Sequence, residues 1–280
     1  MKTPRDISLK AKIAAYAVLG FFTLFAIYPI LRVLSISLRP GNRLLSKSLS
    51  IIPEDATLGA YMQLFNDEPF LVWLGNSMII SLAVTILGVG LAATAGYAFS
   101  RYRFKGRDAS LLGIITTQMF PVPMLLLPLF IMLIKLGLYD SYIGLIVAYS
   151  ATALPFTIWQ MKGYYDKIPF SLEEAAMIDG AGPLYTFYRI VLPLALPALA
   201  ITALFSFMTA WSEYLVAAVL LQDQDLYTLP IGLKQFTSNM EVSWGLYSAG
   251  AIIVSVPVVL LFLLLNRWLV SGLTLGSVKG

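Results

Sequence analysis

The residues of this chain that could do chemistry are few, and most of them are acids. Glu173 and Glu174 stand side by side, and Glu213 lies in an otherwise apolar stretch. The 280 residues include no Cys and no His, so the common zinc ligands and the usual nucleophile–base pairs are missing. The sequence also has no Gly-x-x-x-x-Gly-Lys-Ser/Thr loop to cradle a nucleotide's phosphates. We therefore expect neither a metalloenzyme, a triad hydrolase nor an ATPase, and no bound cofactor.

The chain that carries these acids is strongly apolar as a whole. Hydrophobic residues make up 59% of the chain and charged residues 12%, against about 25% charged in a typical soluble domain. The apolar residues come in long blocks, which indicates one membrane domain over residues 1–280. The net charge of +4 does not indicate nucleic-acid binding, because membrane proteins gather Lys and Arg at their cytoplasmic face.

Six segments are long and apolar enough to cross a bilayer, since a spanning helix needs about 20 mostly apolar residues. They are residues 13–35, 74–100, 109–134, 141–161, 195–221 and 247–270. Of the 19 Lys and Arg residues, thirteen lie in the termini and the connections on their side, and five in the other connections. The positive-inside rule then predicts an all-α membrane protein with six transmembrane helices and cytoplasmic N- and C-termini.

Small residues and prolines in these spans predict where helices approach closely and where they bend. Small residues recur at helical spacing, which lets neighbouring backbones approach closely. They are Gly88, Ala92 and Gly96 in the second span and Gly144, Ala148 and Thr152 in the fourth. Kinks are expected at the prolines within or beside spans, which are Pro29, Pro121, Pro123, Pro128, Pro155 and Pro257.

The cytoplasmic connection over about residues 162–194 has helical periodicity of its own. Ser171 could cap a first helix, with Glu174 closing a capping box, and Asp179-Gly180 would end it. Gly182-Pro183 would start a second helix. Its apolar face would hold Leu184, Phe187, Tyr188 and Val191. Such a pair suits docking into a groove on a soluble partner; the alternative is an amphipathic loop at the membrane surface without a partner.

The same loop resembles the EAA signature of binding-protein-dependent ABC importer permeases. The matching residues are Glu174, Ala175, Ala176, Gly180, Ile190, Val191, Leu192 and Pro193. In that family the loop is the coupling helix, which sits in a cleft of the cytoplasmic ATPase subunit. The resemblance implies that Glu174 meets the ATPase as well as capping its helix, and that Gly180 permits the turn between the two helices.

Stretches outside the loop are similar to permeases of maltose and maltodextrin importers. They are residues 37–42, residues 118–121 and the tail 267–280. The similarity implies that this subunit lies in a bacterial inner membrane. It implies three partners: a second permease subunit, a homodimeric cytoplasmic ATPase and a soluble sugar-binding protein outside. It also implies that the tail reaches into the ATPase dimer and that residues 222–245 meet the binding protein.

Glu213 is the acid whose place inside a span asks for a function, because a charge at the centre of a bilayer costs at least about 2.5 kcal/mol. It could line the sugar path, or it could pair with the partner permease. Both interpretations stay open from the sequence.

Three classes of protein compete for this sequence: an ABC permease subunit, an ion-driven secondary transporter and a membrane enzyme. A secondary transporter usually has paired intramembrane acids and repeated halves, and a membrane enzyme needs clustered carboxylates or His near an interface. The loop favours the permease. Within that class the expected cargo is maltose or maltodextrins, and the alternative is another oligosaccharide, trehalose or a sugar phosphate.

Overall fold

The computed structural model describes residues 8–42, 44, 50, 52–237 and 242–275, and its regular elements there are all helical. The α-helices are α1 Leu9–Ser37, α2 Gly59–Asn66, α3 Phe70–Arg101, α4 Arg107–Thr116, α5 Val122–Lys135, α6 Tyr142–Tyr165, α7 Ser171–Ile178, α8 Pro183–Thr186, α9 Leu192–Leu194, α10 Leu196–Trp211, α11 Leu215–Leu220, α12 Leu229–Gln235 and α13 Trp244–Leu275. A π-helical stretch, Phe187–Val191, joins α8 to α9.

Four of these helices, α1, α3, α6 and α13, are long and apolar enough to cross a membrane. Two further pairs raise the number to six if each pair is one bent span. In the first, Arg107–Met119 and Val122–Lys135 meet at 108°; in the second, Pro183–Leu194 and Leu196–Trp211 meet at 77°. The chain is therefore a multi-pass helical membrane protein.

The fifth predicted span, residues 195–221, is not one continuous helix. It consists of α10 and α11, which residues 212–214 separate. The reason is local: the first turn of α11 is held by the side chain of Glu213 rather than by a continuing helical backbone. Sequence hydropathy cannot detect such a break, because the flanking residues on both sides are apolar.

Both sharp bends coincide with prolines. Pro121 lies between the two parts of the first bent pair, and Pro193 and Pro197 flank the second bend at Ala195. Proline lacks a backbone N–H and clashes with the preceding turn, so it interrupts the helical hydrogen-bond ladder. Other expected kink sites stay within a single helix, namely Pro29, Pro128, Pro155 and Pro257.

The described residues fall into two compact units. One takes in residues 1–69 and 233–255. Within it, the buried Arg39 donates to Ser35 Oγ at 3.3 Å and to the Leu44 carbonyl at 2.5 Å. Ser37 Oγ also hydrogen-bonds to the Tyr61 hydroxyl at 2.8 Å. These contacts hold the end of α1 to the connection that follows it.

The other unit comprises residues 70–232 and 256–280, and its core is the packing of α3, α6 and α10. One apolar cluster towards the start of α3 includes Ile80, Val84, Leu145, Tyr149 and Leu220. A second lies towards its end and includes Ala92, Tyr97, Met161, Tyr165, Phe187 and Val191. The second cluster joins two spans to the loop between α6 and α10, and so it positions that loop.

Glycines let these three helices come close, as the small-residue pattern predicts. A Cβ on Gly96 would lie 2.7 Å from Met161 Cβ and 3.0 Å from the Lys162 backbone nitrogen. A Cβ on Gly88 would lie 2.7 Å from Ser206 Oγ. At Gly96 the neighbouring atoms belong largely to the backbone of α6 and cannot rotate away, so this crossing of α3 and α6 requires glycine.

Gly96→Ala is expected to destabilise the subunit by about 1–3 kcal/mol, because the added methyl group overpacks the contact between α3 and α6. Gly90→Ala is the matched control: it lies on the same helix, and a Cβ there meets nothing within 4 Å. Thermal unfolding of the purified subunit in detergent measures both. Equal melting temperatures for the two variants would contradict the tight crossing.

Candidate functional site

The first loop helix, α7, begins without the predicted side-chain cap. Its N-cap is Phe170, which already has helical torsions (φ −63°, ψ −26°). The Phe170 carbonyl accepts hydrogen bonds from the backbone nitrogens of Glu173 and Glu174, at 2.9 and 3.1 Å. The predicted capping box of Ser171 and Glu174 is therefore wrong: because the helix starts one residue early, Ser171 sits inside the first turn.

The end of α7 follows the prediction closely. Gly180 has a φ of 84°, a left-handed conformation that glycine adopts without steric cost. Its nitrogen donates to the Met177 carbonyl at 3.0 Å, and the Ala181 nitrogen donates to the Ala176 carbonyl at 2.9 Å. This pair of bonds is the Schellman arrangement that ends a helix and reverses the chain. Pro183 then starts α8 as predicted.

The second loop helix presents two faces where the sequence predicts one. Phe187 and Val191 are buried, at 5% and 0% exposure, but Leu184 is 74% exposed and Tyr188 57%. The π-helical stretch Phe187–Val191 accounts for the difference, because a wider turn shifts the angular positions that an α-helix assigns. The loop therefore packs on the spans with one apolar set and leaves the other uncovered.

Glu173 is the carboxylate of this loop that faces the spans. It is 1% exposed. The Tyr97 hydroxyl donates to its Oε2 at 2.7 Å, and Arg101 Nε donates to its Oε1 at 2.5 Å. Sequence reasoning missed this role, because it considered only Glu174, as a helix cap and as a contact for the ATPase. The available signal was helical spacing: Glu173 shares a face of α7 with Ala176, the other buried residue of that helix.

Arg101, the last residue of α3, extends the same tie beyond Glu173. Its Nη2 donates to the Ile168 carbonyl at 2.9 Å and its Nη1 to Ser100 Oγ at 3.1 Å. The guanidinium carbon also lies 5.9 Å from the centre of the Phe170 ring, within cation–π range. One side chain thus fixes the end of α3 to α7 and to the turn before it.

Asp166 makes a second tie between α3 and α6 just outside the spans. Ser100 Oγ donates to its Oδ1 at 2.7 Å, and Lys162 Nζ to its Oδ2 at 2.6 Å. Burial alone would raise the pKa of Asp166, but the hydrogen bonds from Lys162 and Ser100 outweigh it and hold the pKa below its ordinary value. A lowered pKa means that this contact stabilises the fold above the ordinary Asp range and is lost as pH falls through the lowered value.

The residues of the EAA pattern divide by burial. Glu174 and Ala175 are exposed, Ala176 is buried, Ile190 and Leu192 are half-buried, and Pro193 is exposed. The uncovered side chains of the loop also include large apolar ones, Ile178 at 86% exposure, Leu184 at 74%, Tyr185 at 59% and Tyr188 at 57%. We call Glu174, Ala175 and these four the outer residues of the loop. Exposed apolar groups beside a charge are typical of a protein-binding surface.

Glu213 caps the short helix after the break in the fifth predicted span. Its carboxylate accepts from the Val216 nitrogen at 3.0 and 3.1 Å and from the Ala217 nitrogen at 3.3 Å. The positive end of the α11 dipole stabilises a carboxylate there. Glu213 is partly exposed, and its carboxylate has backbone hydrogen-bond donors within the chain.

Glu173→Gln is expected to destabilise the subunit by about 3 kcal/mol, because it leaves Arg101 buried without its counter-charge. Glu174→Gln, one residue along, alters an exposed carboxylate and is expected to stay within about 0.5 kcal/mol. Melting temperatures of the two purified subunits in detergent test the difference. An equal effect of the two substitutions would contradict the assignment of Glu173 as the buried partner.

Comparison with known proteins gives the family of the chain. The family model described as "Binding-protein-dependent transport system inner membrane component" matches residues 85–274, a range that holds α7 and the loop around it. The matched part is about two thirds of the chain.

Individual relatives match over nearly their whole length. The chain is 38% identical over 271 residues to the maltodextrin transport system permease protein MdxG of Bacillus subtilis, covering 96% of each chain. It is 38% identical over 300 residues to the maltose/maltodextrin transport system permease protein MalG of Salmonella typhimurium, covering 100% of this chain and 99% of the other.

A solved structure shares the fold. The chain matches a subunit in the crystal structure of a bacterial ABC transporter involved in the import of the acidic polysaccharide alginate, with a TM-score of 0.79, 26% identity and coverage of 95% and 99%. A second alginate transporter structure, in complex with a pentasaccharide-bound periplasmic protein, matches in fold at a TM-score of 0.69 and 17% identity. The chain therefore belongs to the inner-membrane components of binding-protein-dependent transport systems, and it is a permease subunit of an ABC importer.

Proposed function

We propose that this permease subunit forms, together with a second and different permease subunit, the path by which maltose or maltodextrins cross a bacterial inner membrane. The observation that carries the proposal is the full-length likeness to permeases named for maltose and maltodextrin. Another oligosaccharide is the alternative cargo, because a subunit of an alginate importer has the same fold.

In this proposal residues 1–280 are one permease domain with six spans, and both termini are cytoplasmic. The two bent helix pairs are then the third and fifth spans along the chain, and with α1, α3, α6 and α13 they bring the number of spans to six. The orientation rests on the bias of Lys and Arg, and above all on four basic residues from the end of α3 to the start of α4: Arg101, Arg103, Lys105 and Arg107. The end of the tail, residues 276–280, lies outside the described residues.

The loop of residues 162–194 is proposed as the part that docks on the ATPase. Its EAA residues then have two kinds of role. Glu174 and Ala175, which are exposed, meet the partner. The others give the loop its shape: Ala176 packs inward, Gly180 makes the left-handed turn, and Ile190, Leu192 and Pro193 lead into the bend before α10.

The remaining partners follow from an importer of this kind. ATP hydrolysis belongs to a separate polypeptide, a homodimeric cytoplasmic ATPase, since this sequence has no phosphate-binding loop. Outside, a soluble sugar-binding protein delivers the cargo to residues 222–245, of which 238–241 lie outside the described residues. Glu213, beside the break between α10 and α11, is the candidate residue of this chain on the translocation path.

The cargo is tested by reconstituting the complex with its binding protein in liposomes. Maltose and maltotriose are expected to stimulate ATP hydrolysis, because the proposed complex couples hydrolysis to the import of its cargo. Trehalose and a sugar-free binding protein serve as controls. Stimulation by trehalose alone would keep the family and change the cargo.

Glu174→Arg is expected to weaken docking of the ATPase by about tenfold, because it reverses the charge at the proposed contact while the exposed position leaves the subunit folded. Glu54→Arg is the matched control, an equal change at an exposed carboxylate in the connection after α1. Retention of the ATPase on affinity-purified permease, with ATP hydrolysis of the reconstituted complex, gives the readout. Normal retention and normal hydrolysis in Glu174→Arg would place the docking surface elsewhere.

A further inference from the structure

We propose that Tyr97, Arg101 and Glu173 form the joint through which movement of α7 is passed to the transmembrane helix α3. The proposal rests on the docking of the loop on the ATPase, and it adds the residues that carry the resulting movement into the membrane. These three are positioning residues, because none of them is exposed enough to meet the ATPase.

The attachment has two points because each carboxylate oxygen of Glu173 has its own donor on α3. The Tyr97 hydroxyl binds Oε2 at 2.7 Å and Arg101 Nε binds Oε1 at 2.5 Å. The two donors are four residues apart and so lie on the same face of the helix. A carboxylate held at both oxygens resists rotation about its own axis, so α7 is fixed to α3 in orientation as well as in distance.

Burial makes this joint stiffer than the neighbouring polar contact. The side chains of Arg101 and Glu173 are 9% and 1% exposed, whereas those of Lys162 and Asp166 are 20% and 40% exposed. An exposed ion pair exchanges readily with water and is worth little. A buried carboxylate that loses its partners has no water to replace them. Movement of α7 that would separate Glu173 from α3 is therefore less favourable than movement of the two together.

Helix α3 is the span that distributes such a movement. Its Gly96 lies at contact distance from Met161 of α6, and its Gly88 at contact distance from Ser206 of α10. Close-packed helices cannot slide independently without creating voids or clashes. A displacement that enters at the end of α3 therefore reaches both of the other helices of this core.

Glu173 and Glu174 then have different roles in the loop. Neighbouring residues of an α-helix point about 100° apart. Glu174 is exposed and is one of the outer residues of the loop, whereas Glu173 is buried against α3. A force applied at the outer side of α7 is thus received one residue away from the point where the helix is fixed to the membrane domain.

The experiment uses Tyr97→Phe, which removes one hydrogen bond from the joint and leaves the ring in place, and Arg101→Lys, which keeps the charge but loses the planar fork. Tyr165→Phe is the matched control. Tyr165 lies in the same cluster, with its ring 5.8 Å from that of Tyr97, but its buried hydroxyl has no hydrogen-bond partner among the described residues. Each variant is purified and reconstituted as the full importer with its binding protein and maltotriose.

Two readouts separate transmission from folding. The first is stimulation of ATP hydrolysis by the maltotriose-loaded binding protein, relative to basal hydrolysis in the same complex. The second is the distance between spin labels at Thr94→Cys on α3 and Asp179→Cys at the end of α7, with and without ATP and vanadate. The chain has no cysteine, so these labels are the only ones on this subunit.

Tyr97→Phe and Arg101→Lys are expected to assemble with the ATPase in normal amount but to lose stimulation by about tenfold, the size associated with a hydrogen bond to a charged group. Their label distances are expected to broaden on ATP binding, while those of the parent and of Tyr165→Phe stay narrow. Unchanged stimulation and narrow distances in both variants would overturn the joint. The outcome is separable from failure of docking, because the amount of ATPase retained on the purified permease is measured for each variant: loss of both retention and stimulation is a failure of docking, whereas normal retention with lost stimulation is a failure of transmission.

Discussion

The burial of one carboxylate, Glu173, sets the arrangement of the loop between α6 and α10 in this permease. A charge at 1% exposure is tolerated only where donors surround it, and here the donors come from the last turn of α3. Its position therefore dictates the direction of α7, which in turn decides which residues of the loop remain uncovered. The Arg101 guanidinium then has further donors to spare, and it uses them on the Ile168 carbonyl and Ser100.

Glu213, the other acid that the sequence singles out, is likewise a carboxylate held by hydrogen-bond donors of the chain. Glu213 lies at a break in a helix, where backbone N–H groups would otherwise lack acceptors. Its carboxylate supplies them, at 3.0 to 3.3 Å from the Val216 and Ala217 nitrogens. In one case a carboxylate joins two separate elements, and in the other it begins a new helix within the same stretch of chain. Neither arrangement uses an exposed ion pair.

Several features were predictable because their cause lies in adjacent residues. The turn at Gly180 and the helix start at Pro183 depend on backbone torsions that only those residue types favour, and both are found. The close approach at Gly96 was predictable from small residues at helical spacing. The family follows from the EAA pattern, which the family model and the relatives confirm.

The errors arise where the cause lies elsewhere in the fold. The capping box at Ser171 failed because Phe170 enters the helix one residue earlier. The prediction of a single apolar face on the second loop helix was wrong because a π-helical stretch alters the angular spacing of its side chains. Glu173 was overlooked because its partners Tyr97 and Arg101 lie 76 and 72 positions away in the sequence; its helical spacing from Ala176 was the local signal that could have indicated it.

Sequence separation gives the contact between Arg101 and Glu173 a consequence for biogenesis. The two residues are 72 positions apart, and the helices α4, α5 and α6 lie between them in the chain. Glu173 stays hydrated during synthesis until those helices have been inserted and α6 has packed against α3, since only then does its buried site exist. The ordered form of the loop is thus a late product of maturation, formed only after the helices that bury Glu173 have packed together.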